Sequence, residues 1–368
     1  MTDKELHDIF SAFKAEGKMA SARPFGSGHI NDTYRVTTDA GKHYLLQRIN
    51  HSVFRDVPGL IDNIVHVTDH LKQKLGQMHG AKSEREVLAL IAAGNGLFFT
   101  KDVAGNYWRV FTFLSNTKSY DQVLTEKQAF EGGKAFGTFQ ALLADLDPGL
   151  LIDTIPNFHN IGFRLSNLDK AIEADTAHRL NKLASEIEFV NERREAMMRI
   201  LEAGRAGLLP ERIVHNDTKF NNVLLDEHDK AQCVIDLDTV MPGFVAYDFG
   251  DAIRTIINNA PEDEPDMKLI NLNIPLFTAY TKGYVQQAAG FLTEAEVNSL
   301  IDGVLLLPYM QGVRFLTDYL NGDTYFKIHS PWHNLERARA QFQLVKKLEE
   351  AKDTLNNIIL KNWQHEKK

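Results

Sequence analysis

The chain has 368 residues, of which 43% are hydrophobic and 24% are charged, as in a water-soluble globular protein large enough for two packed lobes. Its formal net charge of −8 argues against a general nucleic-acid-binding or anionic-membrane surface. The single cysteine, Cys233, excludes an internal disulfide framework and any cluster of cysteines for zinc. No apolar run has the length of a signal core or membrane span, so we expect a cytoplasmic protein that binds neither nucleic acid nor membrane.

The first third of the chain predicts a small lobe made mostly of strands. Polar and apolar side chains alternate in short runs that are separated by turns. The clearest predicted elements are strands at 33–37, 43–49, 97–100 and 107–114 and a helix at 58–75. A second helix is predicted over 84–93, with Ser83 and Glu86 as a capping box and Gly94 at its end.

A glycine-rich turn, Gly26-Ser27-Gly28, precedes the first of these strands. Such glycines let backbone amides approach a phosphate, although a lone pair of glycines is also common in ordinary hairpins. Its position at the head of a strand-rich lobe favours the phosphate-binding interpretation. The third glycine of the protein-kinase loop is absent, and His29 and Asn31 either contact the γ-phosphate or the acceptor, or cap the turn.

Beyond Leu114 the periodicity becomes helical. The predicted helices lie at 127–143, 167–177, 179–203, 269–289, 294–320 and 335–363. The change at 114–118 contains no low-complexity linker, so it predicts a hinge rather than a flexible tether. We therefore predict an α+β protein with two lobes, an antiparallel-sheet domain at 1–114 and a mainly helical domain at 115–368.

A polar loop between two short apolar runs carries the chemistry. His215, Asp217 and Asn222 fit the kinase pattern His-x-Asp, four residues, Asn, and Asp236 follows at the usual distance of a little under twenty residues. Phosphoryl transfer needs a carboxylate to orient the attacking hydroxyl, and an amide oxygen and a second carboxylate to hold magnesium. We expect His215 to brace the loop by hydrogen bonding rather than to act as the base.

A literal Asp-Phe-Gly occurs at Asp248, but it lies too far from Asp217 and follows a Pro-Gly turn rather than a strand. We interpret Asp248 and Asp251 as structural residues that cap the following helix or brace the catalytic loop. Asp236, at the end of an apolar run, is the better candidate for the metal.

The lysine that kinases place on the third strand is absent. Gln47 stands at its position, and Arg48 points to the opposite face of the strand. Either Gln47 holds the phosphates through hydrogen bonds or Arg48 substitutes for the lysine. Asp238, on the same strand face as Asp236, either faces the metal and acceptor or caps the next turn.

The loop at 215–222 and the run at 235–238 resemble the aminoglycoside phosphotransferase and choline-kinase-like superfamily. This resemblance implies a protein-kinase-like two-lobe fold with an enlarged helical acceptor region. Further strings are similar to those of the N-acetylhexosamine 1-kinase family: Gly28-His29-Ile30-Asn31, Tyr44-Leu45-Leu46-Gln47, Met241-Pro242-Gly243, Asp248-Phe249-Gly250-Asp251, Arg314-Phe315-Leu316 and Tyr325-Phe326. The resemblance covers most of the chain, from about Pro24 to beyond His333.

By this resemblance the protein binds ATP and magnesium (Mg2+) and phosphorylates the anomeric hydroxyl of N-acetylglucosamine or N-acetylgalactosamine. Asp217 would be the catalytic base, and Asn222 and Asp236 would hold the metal. The expected nucleotide-binding residues are Gly26, Ser27, Gly28, Gln47, Phe113 and Leu114, and the expected substrate-binding residues are His29, Asn31, Asp238, Arg314 and Tyr325.

Other small polar acceptors remain open, namely another sugar, an aminoglycoside, a choline-like amine or homoserine. A polycation would call for an acidic pocket, which only the run 262–266 offers, and choline for an aromatic cage, although the three tryptophans lie far apart in sequence. A nucleotide-sensing pseudokinase is the alternative from another functional class. The presence of Asp217, Asn222 and Asp236 together weakens it.

Overall fold

We describe residues 1–26, 30–78, 80 and 83–368 of a computed structural model. The first third of the chain forms an antiparallel sheet flanked by a short helix, α1 (Asp3–Ser11). The strands are β1 (Met19–Pro24), β2 (Asp32–Thr38), β3 (His43–Ile49), β4 (Thr100–Lys101) and β5 (Tyr107–Thr112). They lie in the order β1-β2-β3-β5-β4, and every neighbouring pair is antiparallel.

The two faces of this sheet have different tasks because side chains alternate along each strand. Leu46 and Val110 point towards α1 and belong to a small apolar core with it. Gln47 and Arg109, which are paired across β3 and β5, point to the other face. That second face looks towards the catalytic segments of the chain.

The predicted helix at 84–93 is wrong beyond its first turn. Helix α3 spans only Ser83–Glu86, after which the chain is extended. Leu90 forms a bridge with Phe111, and the amide of Ile91 donates to the carbonyl of Val110 at 2.8 Å. Pairing with the sheet edge has overridden the local helical pattern, because the apolar side chains of this segment reach both cores from an extended backbone.

Helix α2 (Val57–Gly76) connects the sheet to the rest of the molecule. Asp56 caps its first turn, with Pro58 close behind. The buried amide of Asn63 donates to the carbonyls of Ile152 and Val240 at 2.9 and 3.1 Å and accepts from the Ile152 amide at 3.0 Å. These bonds hold the helix against the segment that follows the metal-site candidate.

The remainder of the chain is mainly helical, which confirms the predicted α+β class; the boundary at residue 114 stays a prediction. The helices are α4 (Glu126–Leu143), α5 (Ile161–Ala174), α6 (Ala184–Met197), α7 (Arg199–Arg205), α8 (Val245–Ile256), α9 (Ile274–Ala288), α10 (Glu294–Leu320) and α11 (His333–Glu366). The stretch predicted as one helix at 179–203 is thus divided between α6 and α7. Within the described ranges, no helix is both long and apolar enough to span a bilayer.

Two short strand pairs lie between these helices and carry the candidate site. They are β6 (Arg212–Val214) with β9 (Met241–Gly243), and β7 (Val223–Leu225) with β8 (Ala231–Val234). Below them, α4 and α9 cross at backbone contact: a Cβ added at Gly283 would lie 2.0 Å from the carbonyl oxygen of Phe130. Only glycine permits this approach, which places α4 directly under the catalytic loop.

Candidate active site

The loop between β6 and β7 is braced from inside by His215. This side chain is fully buried, and the edges of Phe136 and Phe139 pack against it at centroid distances of 5.6 and 5.8 Å. Its Nε2–H donates to the carbonyl of Ile235 at 2.9 Å, and its Nδ1 accepts from the amide of Asp217 at 3.3 Å. Because both ring nitrogens bond to backbone, His215 ties the catalytic loop to the segment that carries Asp236.

Two carboxylates of α8 accept hydrogen bonds from the backbone of the loop between β6 and β7. The buried side chain of Asp248 accepts hydrogen bonds from the backbone amides of His215 at 2.8 Å and Asn216 at 2.7 Å, and from Gln140 at 2.7 Å. Asp251 accepts from the amide of Thr218 at 3.0 Å. Neither caps a helix, because α8 begins earlier, at Val245. The bracing interpretation is the one that this geometry confirms.

Replacing Asp248 with asparagine removes the charge and turns an amide NH2 towards backbone donors. We expect Asp248→Asn to lower the free energy of unfolding by about 1–3 kcal/mol, because a buried backbone N–H loses its acceptor. Urea unfolding measures this, and turnover is expected to fall with it. Asp353→Asn, on an exposed turn of α11, is the matched control and should change stability by less than about 0.5 kcal/mol. Equal midpoints for the two variants would contradict the bracing role.

Asp217, Asn222 and Asp236 converge on one side of this loop. The amide of Asn222 donates to the main-chain carbonyl of Asp217 at 2.8 Å and to its carboxylate at 3.2 Å. Lys219 places its ammonium 3.0 Å from the same carboxylate. Asp236 lies two residues beyond β8 with a left-handed backbone, φ 61°, a conformation that non-glycine residues adopt mainly at constrained sites.

The electrostatics of this cluster suit a cation. Burial, together with the negative charges of Asp238 and Asp217, raises the pKa of Asp236 to about 6, while Lys219 and His215 act in the opposite direction. Among the described residues, no side chain or backbone group donates a hydrogen bond to the Asp236 carboxylate. A divalent ion would supply the missing positive charge, and carboxylate and amide oxygens are suitable ligands for magnesium. The residues therefore fit a divalent metal.

Asp238 joins the two parts of the molecule through a buried ion pair. Both of its oxygens accept from the guanidinium of Arg109 on β5, one at 2.9 Å, and the side chains are only 2% and 3% exposed. The amide of Asn31 donates to the same carboxylate at 2.7 Å, and Gln47 accepts from Arg109 Nε at 3.0 Å. Asp238 thus pairs across to the sheet, and its alternative role as a turn cap was wrong.

Sequence reasoning missed Arg109 and Lys219. Arg109 carried a usable signal, since a charged residue in an otherwise apolar strand is costly unless it is paired. Lys219 follows the candidate base by two residues, and its pKa is raised because Asp217, Asp236 and Asp251 outweigh the opposing effect of burial. Its ammonium is therefore a permanent positive charge beside the candidate base.

The other predicted nucleotide-binding residues lie around the sheet. Gly26 has φ 82° just after β1, and Phe113 and Leu114 follow β5. The Phe113 ring meets Phe25 edge-on at 5.5 Å. Arg48 forms an exposed ion pair with a neighbouring carboxylate, on the strand face opposite Gln47. Three further predicted residues lie outside the described residues: Ser27, Gly28 and His29.

Arg314 and Tyr325 line a cavity of about 270 Å3 between α5 and α10. Arg164, which the sequence analysis did not select, lines the same cavity. Aromatic rings flank the Arg314 guanidinium, with the centroid of Phe326 at 5.5 Å. Asn31, predicted to share this pocket, is instead bonded to Asp238.

His159 and its neighbour link this cavity to the catalytic loop. His159 Nε2–H donates to the carbonyl of Asn216 at 2.9 Å. The carbonyl of the preceding residue, Phe158, accepts from Arg164 at 2.8 Å. Burial lowers the pKa of His159 to about 4, with the positive charges of Arg314 and Arg164 adding to the effect and Asp251 opposing it. The imidazole is therefore neutral at physiological pH.

This neutral histidine predicts a pH dependence of stability. In the unfolded chain His159 becomes protonated below about pH 6.5, whereas in the native protein it becomes protonated only below about pH 4. The native state therefore loses stability as pH falls between these values, by about 1–3 kcal/mol. Urea unfolding at pH 7 and pH 4.5 should show a smaller loss in His159→Gln than in the wild type. His228→Gln, at an exposed histidine, should match the wild type; a wild-type slope in His159→Gln would contradict the assignment.

Comparison with known proteins identifies the family to which this chain belongs. Residues 21–282, more than half of the chain, match the phosphotransferase enzyme family (APH). The chain belongs to this family. This membership makes it a phosphotransferase by family and confirms the broader of the two resemblances at the level of that family.

Solved structures with the same fold extend the comparison. The chain is similar to the microcompartment-associated aminopropanol kinase, with TM-score 0.64, 16% identity, and 96% of this chain and 99% of that chain covered. An aminoglycoside phosphotransferase from Alicyclobacillus acidocaldarius gives TM-score 0.60, 13% identity and 96% coverage of both chains. Amicoumacin kinase hAmiN, solved with AMP-PNP, Ca2+ and Ami, gives TM-score 0.56 and 15% identity, with 96% of this chain and 94% of that chain covered. At these identities the likeness shows the fold, which is the predicted kinase-like arrangement.

Proposed function

We propose that the protein transfers the γ-phosphoryl group of ATP to the anomeric hydroxyl of an N-acetylhexosamine, with Mg2+ as the metal. The observation that carries this proposal is that Asp217 and Asn222, which lie in one loop, are brought close to Asp236, which follows β8. These are the groups that phosphoryl transfer requires of a kinase. The choice of sugar rests on the resemblance to N-acetylhexosamine 1-kinases.

In this mechanism Asp217 accepts or orients the proton of the attacking hydroxyl. Its carboxylate is a quarter exposed, so a substrate in the cleft can reach it. Asn222 and Asp236 would hold the metal, which neutralises charge on the phosphates when bound. Lys219, 3.0 Å from Asp217, can follow the transferred phosphoryl group as a second positive charge. Catalysis is then mainly positioning and electrostatic stabilisation.

The nucleotide would lie between the sheet and the catalytic loop. Gln47 is already engaged by Thr33 and Arg109, and Arg48 points away from the cleft. Arg109 is a buried cation on the face of the sheet that looks towards the catalytic loop. We therefore assign to Gln47 a role in orienting Arg109, and we assign Gly26, Ser27, Gly28, Phe113 and Leu114 to the nucleotide site as the resemblance implies.

The acceptor side supports a sugar more than a polycation. The run at 262–266 is the one acidic segment of the sequence that we expect could bind a polycationic acceptor. Two of its carboxylates are already bound, because Glu262 pairs with Arg254 at 2.6 Å and Asp263 with His333 at 3.2 Å. The cavity with Arg314 and Tyr325 is instead lined by arginine, amide and aromatic groups, which suit hydroxyl and acetamide recognition. The amine acceptors that related proteins use would meet positive charge here.

An ADP-release assay over a panel of acceptors tests the proposal. We expect turnover that depends on N-acetylglucosamine or N-acetylgalactosamine and on Mg2+, with phosphorus NMR placing the product phosphate on the anomeric carbon. Neutral hexoses, choline, homoserine and aminoglycosides serve as comparison acceptors. Turnover with an amine acceptor in place of these sugars would refute the sugar assignment. Nucleotide binding without turnover on any acceptor would favour the alternative of a nucleotide-sensing pseudokinase.

A further inference from the structure

The cavity between α5 and α10 contains an excess of positive charge. Arg164 and Arg314 both line it, and neither forms an ion pair with a carboxylate within the part of the chain that the structure describes. Arg164 donates only to the carbonyl of Phe158, at 2.8 Å, and its Nε is buried without a partner. Arg314 donates to the neutral amide of Gln311 at 2.9 Å. Two half-buried guanidiniums without counter-charges are unusual unless a ligand uses them.

The carboxylates near this cavity cancel only part of its positive charge. Asp318 is the carboxylate in the described lining of this cavity, and its oxygens accept from the backbone amides of Thr324, Tyr325 and Phe326 at 2.8–2.9 Å. One carboxylate against the two guanidiniums of Arg164 and Arg314 leaves a net positive charge in the lining. Glu262, whose charge acts on Arg314, forms an ion pair with Arg254. Burial lowers the pKa of Arg164 to about 10, with the charge of Arg314 as the second cause. The two guanidiniums thus act on each other, and the cavity keeps a positive potential.

We propose that Arg164 is a specificity-determining residue that, together with Arg314, excludes acceptors carrying an ammonium group. The inference rests on the proposed function and names the residues that would select an acylated amino group over a free one in its acceptor. A like charge brought next to a desolvated guanidinium is strongly unfavourable, so a free amine loses binding energy that a neutral acetamide keeps.

The test compares kcat/KM for N-acetylglucosamine and glucosamine in the ADP-release assay. The wild type should prefer the acetylated sugar by at least about tenfold, since like-charge contacts in an interface are worth this much or more. Arg164→Gln removes one charge and should reduce the preference by about tenfold, mainly by improving the glucosamine value. Arg164→Lys keeps the charge and should keep the preference.

A second variant leaves both arginines in place. Asn167, which lines the same cavity, becomes a carboxylate of equal size in Asn167→Asp. This change should neutralise Arg164 and raise kcat/KM for glucosamine relative to N-acetylglucosamine. Circular dichroism and urea unfolding establish that each variant is folded. If Arg164→Gln and Asn167→Asp both retain the wild-type preference, the proposed exclusion of ammonium-bearing acceptors is refuted. Absence of ADP release with every sugar would instead refute the proposed function.

Discussion

Asp217→Asn is expected to lower kcat by about 10²- to 10⁴-fold while nucleotide binding is retained, the range that removal of a general base produces. The asparagine has the same shape as the aspartate, so the hydrogen bonds of Asn222 and the backbone of the loop can persist. What is lost is the negative charge that orients the attacking hydroxyl. The residual rate would come from positioning of ATP and acceptor alone.

Turnover in the ADP-release assay and binding of a fluorescent ATP analogue together measure this effect. Asp353→Asn, remote on α11, is the control for the loss of one negative charge. A variant that binds nucleotide as the wild type does but turns over about a hundred to ten thousand times more slowly supports the assigned base. Turnover within a factor of about three of the wild type would rule out Asp217 as the base.

The buried pair of Arg109 and Asp238 predicts the largest change in stability. Removing one partner leaves the other as an uncompensated charge, so Arg109→Met and Asp238→Asn should each cost about 3–5 kcal/mol. The double variant has no unpaired charge and should cost clearly less than the sum of the two. The physical reason is desolvation: both side chains are only a few per cent exposed.

A matched ion pair lies on the neighbouring strand. Arg48 pairs with Asp32 on the exposed face, so Arg48→Met should cost no more than about 1 kcal/mol. Urea unfolding of the four variants and the wild type gives the coupling energy. Additive losses for Arg109→Met and Asp238→Asn would show that the pair does not join the sheet to the catalytic segment.

Much of the site was predictable because its signals are local. His215, Asp217 and Asn222 lie within one short loop, and their spacing follows from the shape of that loop rather than from distant contacts. The long helix α10 was predicted with its observed limits, since capping residues and apolar periodicity are also local properties. The roles of Asp217, Asn222 and Asp236 stay predictions until the variants are measured.

Other features depended on partners far along the chain. Asp248 looked like a helix cap because helix starts are recognised from neighbouring residues, yet its partners are backbone amides of the catalytic loop. The segment at 84–93 has a helical pattern but finds its hydrogen bonds on the edge of the sheet. A local sequence pattern indicates the secondary structure that a segment would prefer on its own, and packing in the fold determines whether that structure forms.

The amino-acid sequence by itself determined the class of fold and the phosphotransferase type of reaction, and it predicted the catalytic loop, because periodicity and motif spacing act over a few residues. Only the tertiary structure decided that Arg109 meets Asp238 and that Arg164 and Arg314 share one cavity. In each case the residues are more than a hundred positions apart. The charges of such residues become informative only when folding removes them from water and brings them together, because the strength of an ion pair or a repulsion depends on burial and distance.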